Sequence, residues 1–160
     1  MPASDKNNIE MAFRHYLTKA PQGKLALNAV NNWLSLDKEI SADDYLLMAN
    51  TYFMFDDYEN TRKLLNKSDL KDSWMLEAKT AYALKDYPRV KLHIQYGIGN
   101  HADNLDEKDI KDMVDMYLAV SNSKTDAIDL LYDISGHKDY VWSLKKHLQN
   151  NNLIATEIYI

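Results

Sequence analysis

The segment Ala49-Asn-Thr-Tyr-Phe-Met-Phe-Asp-Asp-Tyr58 returns in altered form as Ala78-Lys-Thr-Ala-Tyr-Ala-Leu-Lys-Asp-Tyr87. Both copies place a small residue first and an aspartate–tyrosine pair last. The helix that follows has the same offset, because Leu65 and Ile94 are separated by as many residues as Ala49 and Ala78. Self-similarity of this length is typical of a repeated helix–turn–helix unit.

Composition agrees with an all-helical, soluble chain. At 160 residues the protein is large enough for one domain with a continuous core. Hydrophobic residues make up 46% and charged residues 27%, which is ordinary for a globular protein. Only 4 glycines and 3 prolines interrupt the chain, so few helix breakers are present.

Apolar spacing predicts about nine helices and a single domain over residues 9–160, preceded by a disordered segment at 1–8. Ser41 is predicted to cap the third helix. Pro88 suits the first turn of the sixth helix, which Gly97 and Gly99 are expected to end. The predicted helix pairs cover 9–36, 42–66, 70–97 and 107–134, with a C-terminal cap at 137–160. Within that cap, residues 153–160 carry β-branched side chains typical of a strand, but a helical or irregular end fits such a helical chain better.

The sequence contains a third copy of the repeat. When Ala81 of the second copy is aligned with Leu118, Ile94 is aligned with Leu131. The two helices of this pair therefore have the same sequence offset from the second copy, and this offset is larger than the one between the first two copies. The additional residues therefore belong to the polar loop at 100–106, between the pairs. Insertion into a loop with the packed positions unchanged is how helical arrays usually vary.

The repeated residues resemble the tetratricopeptide repeat, a helix–turn–helix family with small and aromatic residues at fixed places. The resemblance covers most of residues 42–134, and it departs from the family at Asp115, which occupies a small-residue position, and in lacking the proline that usually ends the unit. It implies a right-handed α-solenoid of antiparallel helix pairs whose first helices line a concave groove. The matching residues are Ala49, Tyr52, Tyr58, Thr61 and Leu65 in the first copy, Trp74, Ala78, Tyr87, Val90 and Ile94 in the second, and Leu118, Ala127 and Leu131 in the third.

In that family pattern, one stripe of each first helix faces the groove. Its aromatic and methionine side chains would anchor a peptide or a partner helix, and its amide and ammonium groups would set the register. The alternative is that these stripes are core contacts between neighbouring hairpins, which is the commoner role of such a pattern. The stripe residues are Leu46, Asn50 and Phe53 on the third helix and Met75, Lys79 and Tyr82 on the fifth.

No motif for catalysis, a cofactor or a metal is present. The chain has 0 cysteines, which excludes disulfides and thiol chemistry. The five histidines, His15, His93, His101, His137 and His147, lack zinc-hydrolase spacing, and the acids at 103–115 lack the order of a calcium loop. Gly97-Ile-Gly99 follows a helix and is not a dinucleotide loop. These patterns favour structural roles, with no cofactor and no metal.

The sequence therefore predicts a non-enzymatic scaffold or adaptor that binds another protein or a peptide in its groove. The alternative is a small all-helical ligand-binding or enzyme domain with a pocket inside the bundle. A net charge of −5 argues against nucleic acid, since the basic residues of 138–147 suit a helix end. No segment is apolar enough to span a membrane, and a cysteine-free acidic chain fits the bacterial cytoplasm or periplasm, alone or as part of a larger anchored protein. The apolar residues Leu153 to Ile160 are expected to favour self-association.

Overall fold

The computed structural model describes residues 1–101, 105–136 and 146, and in these ranges every element of regular secondary structure is an α-helix. The all-helical prediction is confirmed, and the helix count for the described residues is close to the predicted nine. Arrangement of the helices as a solenoid stays a prediction, and the predicted cap at 137–160 lies outside the described residues, apart from Lys146. The helices are α1 (Ala3–Thr18), α2 (Leu25–Leu34), α3 (Ala42–Met54), α4 (Tyr58–Leu65), α5 (Leu70–Ala83), α6 (Tyr87–Asn100), α7 (Glu107–Ala119) and α8 (Lys124–Ile134).

The chain divides into two compact units, Met1–Leu76 and Glu77–Ile160, and the boundary falls within α5. In the first unit, α3 packs against α1, α2 and α4. In the second unit, α6, α7 and α8 pack against one another. Four of the predicted helix pairs correspond to successive pairs of observed helices, while the prediction of one domain over 9–160 stays a prediction.

The core of the first unit surrounds α3. Met48 and Ala49 have no exposed surface, and Val30 of α2 and Leu17 of α1 close the core around them. Trp33 is 1% exposed and its ring lies 6.3 Å from that of Phe13. Full burial of each large aliphatic side chain in this core, such as that of Leu17 or Met48, contributes roughly 1.5–3 kcal/mol. The apolar character of α3 on nearly all sides is therefore explained by its central place in this unit.

The end of α6 differs from the prediction, because the helix continues through Gly97 and Gly99 to Asn100. Gly97 is buried, and a Cβ added at Gly99 would lie 3.1 Å from Cγ2 of Ile134 on α8. That distance is shorter than an ordinary van der Waals contact. The prediction of a helix stop was wrong, and at Gly99 the lack of a Cβ instead allows α6 to approach α8 closely, which spacing along one helix does not reveal.

The N-terminal prediction also needs correction. Residues 3–8, predicted to be disordered, form the first turns of α1. Asp5 in the first turn complements the helix dipole, and Lys6 Nζ donates a hydrogen bond of 3.4 Å to the main-chain oxygen of Asp37. These polar turns lie on the solvent side of the unit. They therefore have no apolar stripe from which the sequence could predict a helix.

The two copies of the repeat have the same turn between their helices. Asp56 has φ of 58°, and Lys85, its counterpart in the second copy, has φ of 60°. The next residues agree as well, with Asp57 at φ −90°, ψ 75° and Asp86 at φ −91°, ψ 71°. A left-handed residue, followed by a residue whose ψ lies between the helical and the extended regions, ends the first helix and starts the second.

Hydrogen bonds define both turns as the same C-terminal motif. The amide of Asp57 donates to the carbonyl of Tyr52 at 3.1 Å, and the amide of Asp86 donates to the carbonyl of Ala81 at 2.8 Å. A bond of this span around a left-handed residue is the Schellman motif. The turn between α7 and α8 is different, because Ser123 is extended and its side chain accepts from the Asp126 amide at 3.2 Å.

Candidate functional site

The α3 stripe lies at the edge of the core of the first unit. Leu46 and Phe53 are partly buried and pack against that core, whereas Asn50 is exposed. The ring of Phe53 meets the ring of Tyr58 edge-on, with centroids 5.5 Å apart. Two of the three residues thus contribute to packing as well as to surface. Only Asn50 of this stripe is exposed, and the role of the stripe in binding stays a prediction.

The α5 stripe is divided between the units. Met75 belongs to the first unit and is partly buried. In the second unit, Tyr82 is 41% exposed and its ring lies 6.2 Å from that of Tyr87. This ring pair occupies the positions that Phe53 and Tyr58 hold in the first copy of the repeat.

Lys79 does not present a free ammonium group. Its Nζ lies 4.0 Å from a carboxylate oxygen of Asp109 and 3.9 Å from one of Asp112, both on α7. All three side chains are partly exposed, so each contact is weak and screened by salt. From the sequence alone, these acids were weighed only as part of a calcium loop and were not assigned to the stripe, although aligning the third copy with the second places Asp112 at the position of Met75. Applying that alignment to the stripe would have found it.

A polar network is buried between α1, α2 and α3. Arg14 donates from Nε and Nη2 to the two carboxylate oxygens of Asp44, at 2.9 and 2.8 Å. Glu10 accepts from three groups: Arg14 Nη2 at 3.1 Å, Lys38 Nζ at 2.7 Å and Trp33 Nε1 at 3.1 Å. The Arg14 guanidinium also lies 5.6 Å from the centroid of the Trp33 ring. Both carboxylates are 7% exposed, and both are paired.

The pKa values follow from this pairing. Burial alone would raise the pKa of Glu10, but hydrogen bonds from Lys38, Trp33 and Arg14 outweigh it and hold that pKa below its usual value. The hydrogen bonds from Arg14 lower the pKa of Asp44 despite its burial. Hydrogen bonding to Asp44 in turn raises the pKa of Arg14. All three groups are therefore charged at neutral pH, and the network joins three helices without a titrating member suited to proton transfer.

The second unit places a histidine–glutamate pair at positions where the first unit has apolar residues. His93 Nε2 lies 3.6 Å from Glu77 Oε2, and each side chain is 12% exposed. Their counterparts in the first copy are Leu64 and Met48, which are 7% and 0% exposed. The two copies of the repeat therefore carry different chemistry at these two positions, polar in the second copy and apolar in the first.

An open cleft of about 680 Å³ lies in the first unit between α4, α3 and the loop that precedes α3. Tyr52 forms part of it, and its hydroxyl donates to Asn31 Oδ1 at 2.8 Å. Burial, together with the charge of Asp57, raises the pKa of Tyr52. The lining residues are Leu34, Asp37, Lys38, Glu39, Ile40, Tyr45, Tyr52, Asn60, Lys63, Leu64 and Lys67.

Within the acidic segment, Asp106 has a local role at the start of α7. Asp106 precedes the helix, and its side chain accepts from the Asp109 amide at 2.8 Å. Among the described residues, no group of three or more histidines or acids is placed to hold a metal ion. Within that same part of the chain, no helix combines the length and the apolar character needed to cross a bilayer.

No protein-family model, curated protein or solved structure matches this chain. The residues of the α3 and α5 stripes, the buried network and the cleft are thus interpreted from their own geometry and chemistry.

Proposed function

We propose that the protein is a non-enzymatic interaction scaffold or adaptor of tetratricopeptide-like design. It binds a peptide or a helix of a partner protein through the first helices of its repeats. The observation that supports this proposal is the recurrence of the left-handed turn residue, the Schellman hydrogen bonds and the ring pair at corresponding positions of the two copies. Repeated hairpins present equivalent side chains at regular intervals, which suits recognition of an elongated partner.

The exposed members of the two stripes are assigned to direct contact. Asn50 offers both a donor and an acceptor to a partner backbone, and Tyr82 offers a large, rigid surface with a polar end. Leu46, Phe53 and Met75 are partly buried, so their exposed edges add apolar contact while their packing keeps them rigid.

Lys79 takes a modified role in this proposal. Its ammonium group is shared with Asp109 and Asp112. A carboxylate of the partner would compete with these two acids, so Lys79 alone contributes little to affinity. The acids also give α7 a negative face, which favours partner segments that carry lysine or arginine.

The test is a pull-down from a lysate of the source cells with identification by mass spectrometry, followed by titration of the purified partner. Asn50→Ala with Lys79→Ala is expected to weaken binding about tenfold, the combined effect of one hydrogen bond and one exposed charge. Helix content measured by circular dichroism should stay unchanged, because neither side chain belongs to the core.

The matched control is Asn32→Ala with Lys124→Ala, which removes the same groups from exposed positions on α2 and α8. This control should leave affinity unaltered. Equal binding by the wild type and the Asn50/Lys79 variant would remove the stripe from the binding surface.

A further inference from the structure

The cleft in the first unit is built from three segments with different chemistry. One wall is a single face of α4 and the turn after it, where Asn60, Lys63 and Lys67 recur at helical spacing. The facing side is formed by Tyr45 and Tyr52, two turns apart on α3. Apolar side chains lie between these polar groups, and the acids of the loop before α3 form the remaining rim.

The lysines of this cleft are not equivalent. Lys38 is already bound to Glu10 at 2.7 Å. Neither Lys63 nor Lys67 has a carboxylate partner within the part of the chain that the structure describes, and both are exposed. Lys67 Nζ lies 5.3 Å from the centroid of the Tyr45 ring, which holds this ammonium group over the cleft. Among the described residues, these two cations on one wall therefore have no carboxylate within salt-bridge distance.

Hydrogen-bond donors are available beside these cations. In the described residues, the Tyr45 hydroxyl has no hydrogen-bond partner, although the side chain is partly buried and its ring is already in contact with Lys67. Asn60 uses its amide group to donate to Asp57 Oδ2 at 2.7 Å, which fixes the orientation of the side chain. Lys63, Lys67 and Tyr45 thus line one cleft with three hydrogen-bond donors, two of them charged.

The opposite rim repels an anion. Asp37 and Glu39 line the cleft from the loop before α3, and both are exposed. Their charges would direct the acidic end of a ligand away from the loop and toward α4. The charge of the cleft lining therefore changes from one side to the other, and its positive side is at Lys63 and Lys67.

We propose that this cleft binds a small organic anion with a flat apolar body. The carboxylate or phosphate of the ligand lies between Lys63 and Lys67, and its body covers Tyr45 and the apolar lining. The volume of about 680 Å³ is within the range of about 300–1,000 Å³ usual for small-molecule sites. This binding goes beyond the proposed scaffold function, because the cleft uses a different face of α3 from Leu46, Asn50 and Phe53.

Three probes that share a naphthalene ring test this site on the full chain: naphthoate, naphthyl phosphate and the uncharged naphthalenemethanol. Titration is followed by calorimetry and by shifts of backbone amide resonances. The two anions are expected to bind saturably and at least about fivefold more tightly than the neutral probe, with affinity falling as salt is added. The tighter of the two anions identifies the acid class of the ligand.

Removing the lysines of the α4 wall and removing the acids of the loop rim should change the affinity for the two anions in opposite directions. Lys63→Ala with Lys67→Ala is expected to weaken the anions about tenfold, and Asp37→Asn with Glu39→Gln to strengthen them a few-fold. Lys108→Ala with Lys111→Ala removes the same charge from exposed positions on α7 and should change nothing. If Lys63→Ala with Lys67→Ala lowers helix content, Lys63→Gln with Lys67→Gln replaces it.

The proposal is overturned by any of three results. These are no saturable binding of either anion, equal affinity for the neutral probe, or equal loss in the Lys63/Lys67 and Lys108/Lys111 variants. Amide shifts confined to residues outside the cleft would count against it in the same way. Asn50→Ala with Lys79→Ala should leave anion binding intact, so failure of the scaffold proposal and failure of this one are distinguishable.

Discussion

Single residues explain how the first unit tolerates two buried carboxylates. Glu10 and Asp44 are each 7% exposed, and an unpaired charge at such a site would be costly. Arg14 joins them, because it contacts both acids and the Trp33 ring at once. This pairing allows α1, α2 and α3 to meet through charged groups.

Acid is therefore expected to weaken the first unit. The pKa values of Glu10 and Asp44 are lowered in the folded protein, so their stabilisation is complete above the unfolded values, near 4.5 and 3.8, and is lost as pH falls through the folded values. The free energy of unfolding, measured by urea titration, should be level between about pH 7 and 5 and should fall below about pH 4.5.

Asp44→Asn supplies the control for this pH dependence. It removes one of the two acids and should cost about 1–3 kcal/mol at neutral pH, because Arg14 loses its bidentate partner. The difference from the wild type should shrink as pH falls, since protonation of Asp44 abolishes the same interaction. A difference that stays constant down to pH 2 would show that the Asp44 charge does not stabilise the fold.

At the scale of helices and turns, the two copies of the repeat are most alike in the turn that connects their two helices. Asp56 and Lys85 both adopt positive φ, a conformation that non-glycine residues rarely take. Aspartate tolerates this region better than lysine does. The two copies thus keep the same backbone at different conformational cost.

Lys85→Gly is expected to stabilise the protein by about 1 kcal/mol, because glycine adopts the left-handed conformation without a Cβ clash. Asp56→Gly should gain less, since it removes the hydrogen bond of 2.9 Å that Asp56 accepts from the Tyr58 hydroxyl. Thermal and urea unfolding of the two variants measure this order. In contrast, Lys111→Gly, inside α7, should destabilise by about 1 kcal/mol. Loss of stability in Lys85→Gly would contradict the backbone interpretation.

For the whole molecule, the sequence predicts self-association through Leu153 to Ile160, a segment outside the described residues. An apolar end of this kind gains free energy by covering its surface with a second copy. Deleting residues 153–160 should convert a concentration-dependent oligomer into a monomer in sedimentation or light scattering, without a change in the binding of the naphthyl anions. A full-length chain that is monomeric at every concentration would exclude this role of the segment.

Local features followed directly from the order of residues. The start of α3 at Ser41, the place of Pro88 in the first turn of α6 and the boundaries of most helices were predicted, because capping and apolar spacing involve neighbours within a few positions. The constant offset between the first two copies likewise anticipated two equivalent turns. Such interactions form between groups that the chain itself holds close together.

Packing decided the rest. Gly99 becomes a helix-contact residue because α8 lies against α6, and Glu10 becomes a buried partner of Lys38 and Trp33 because three helices meet there. Lys79 meets acids of α7, and Lys63 and Lys67 line a cleft with tyrosines of α3, only in the folded units. Each of these contacts joins residues far apart in the chain. The chemistry of these contacts depends on which helix surfaces pack together. Helical periodicity in a sequence describes only the surface of one helix, so it does not predict them.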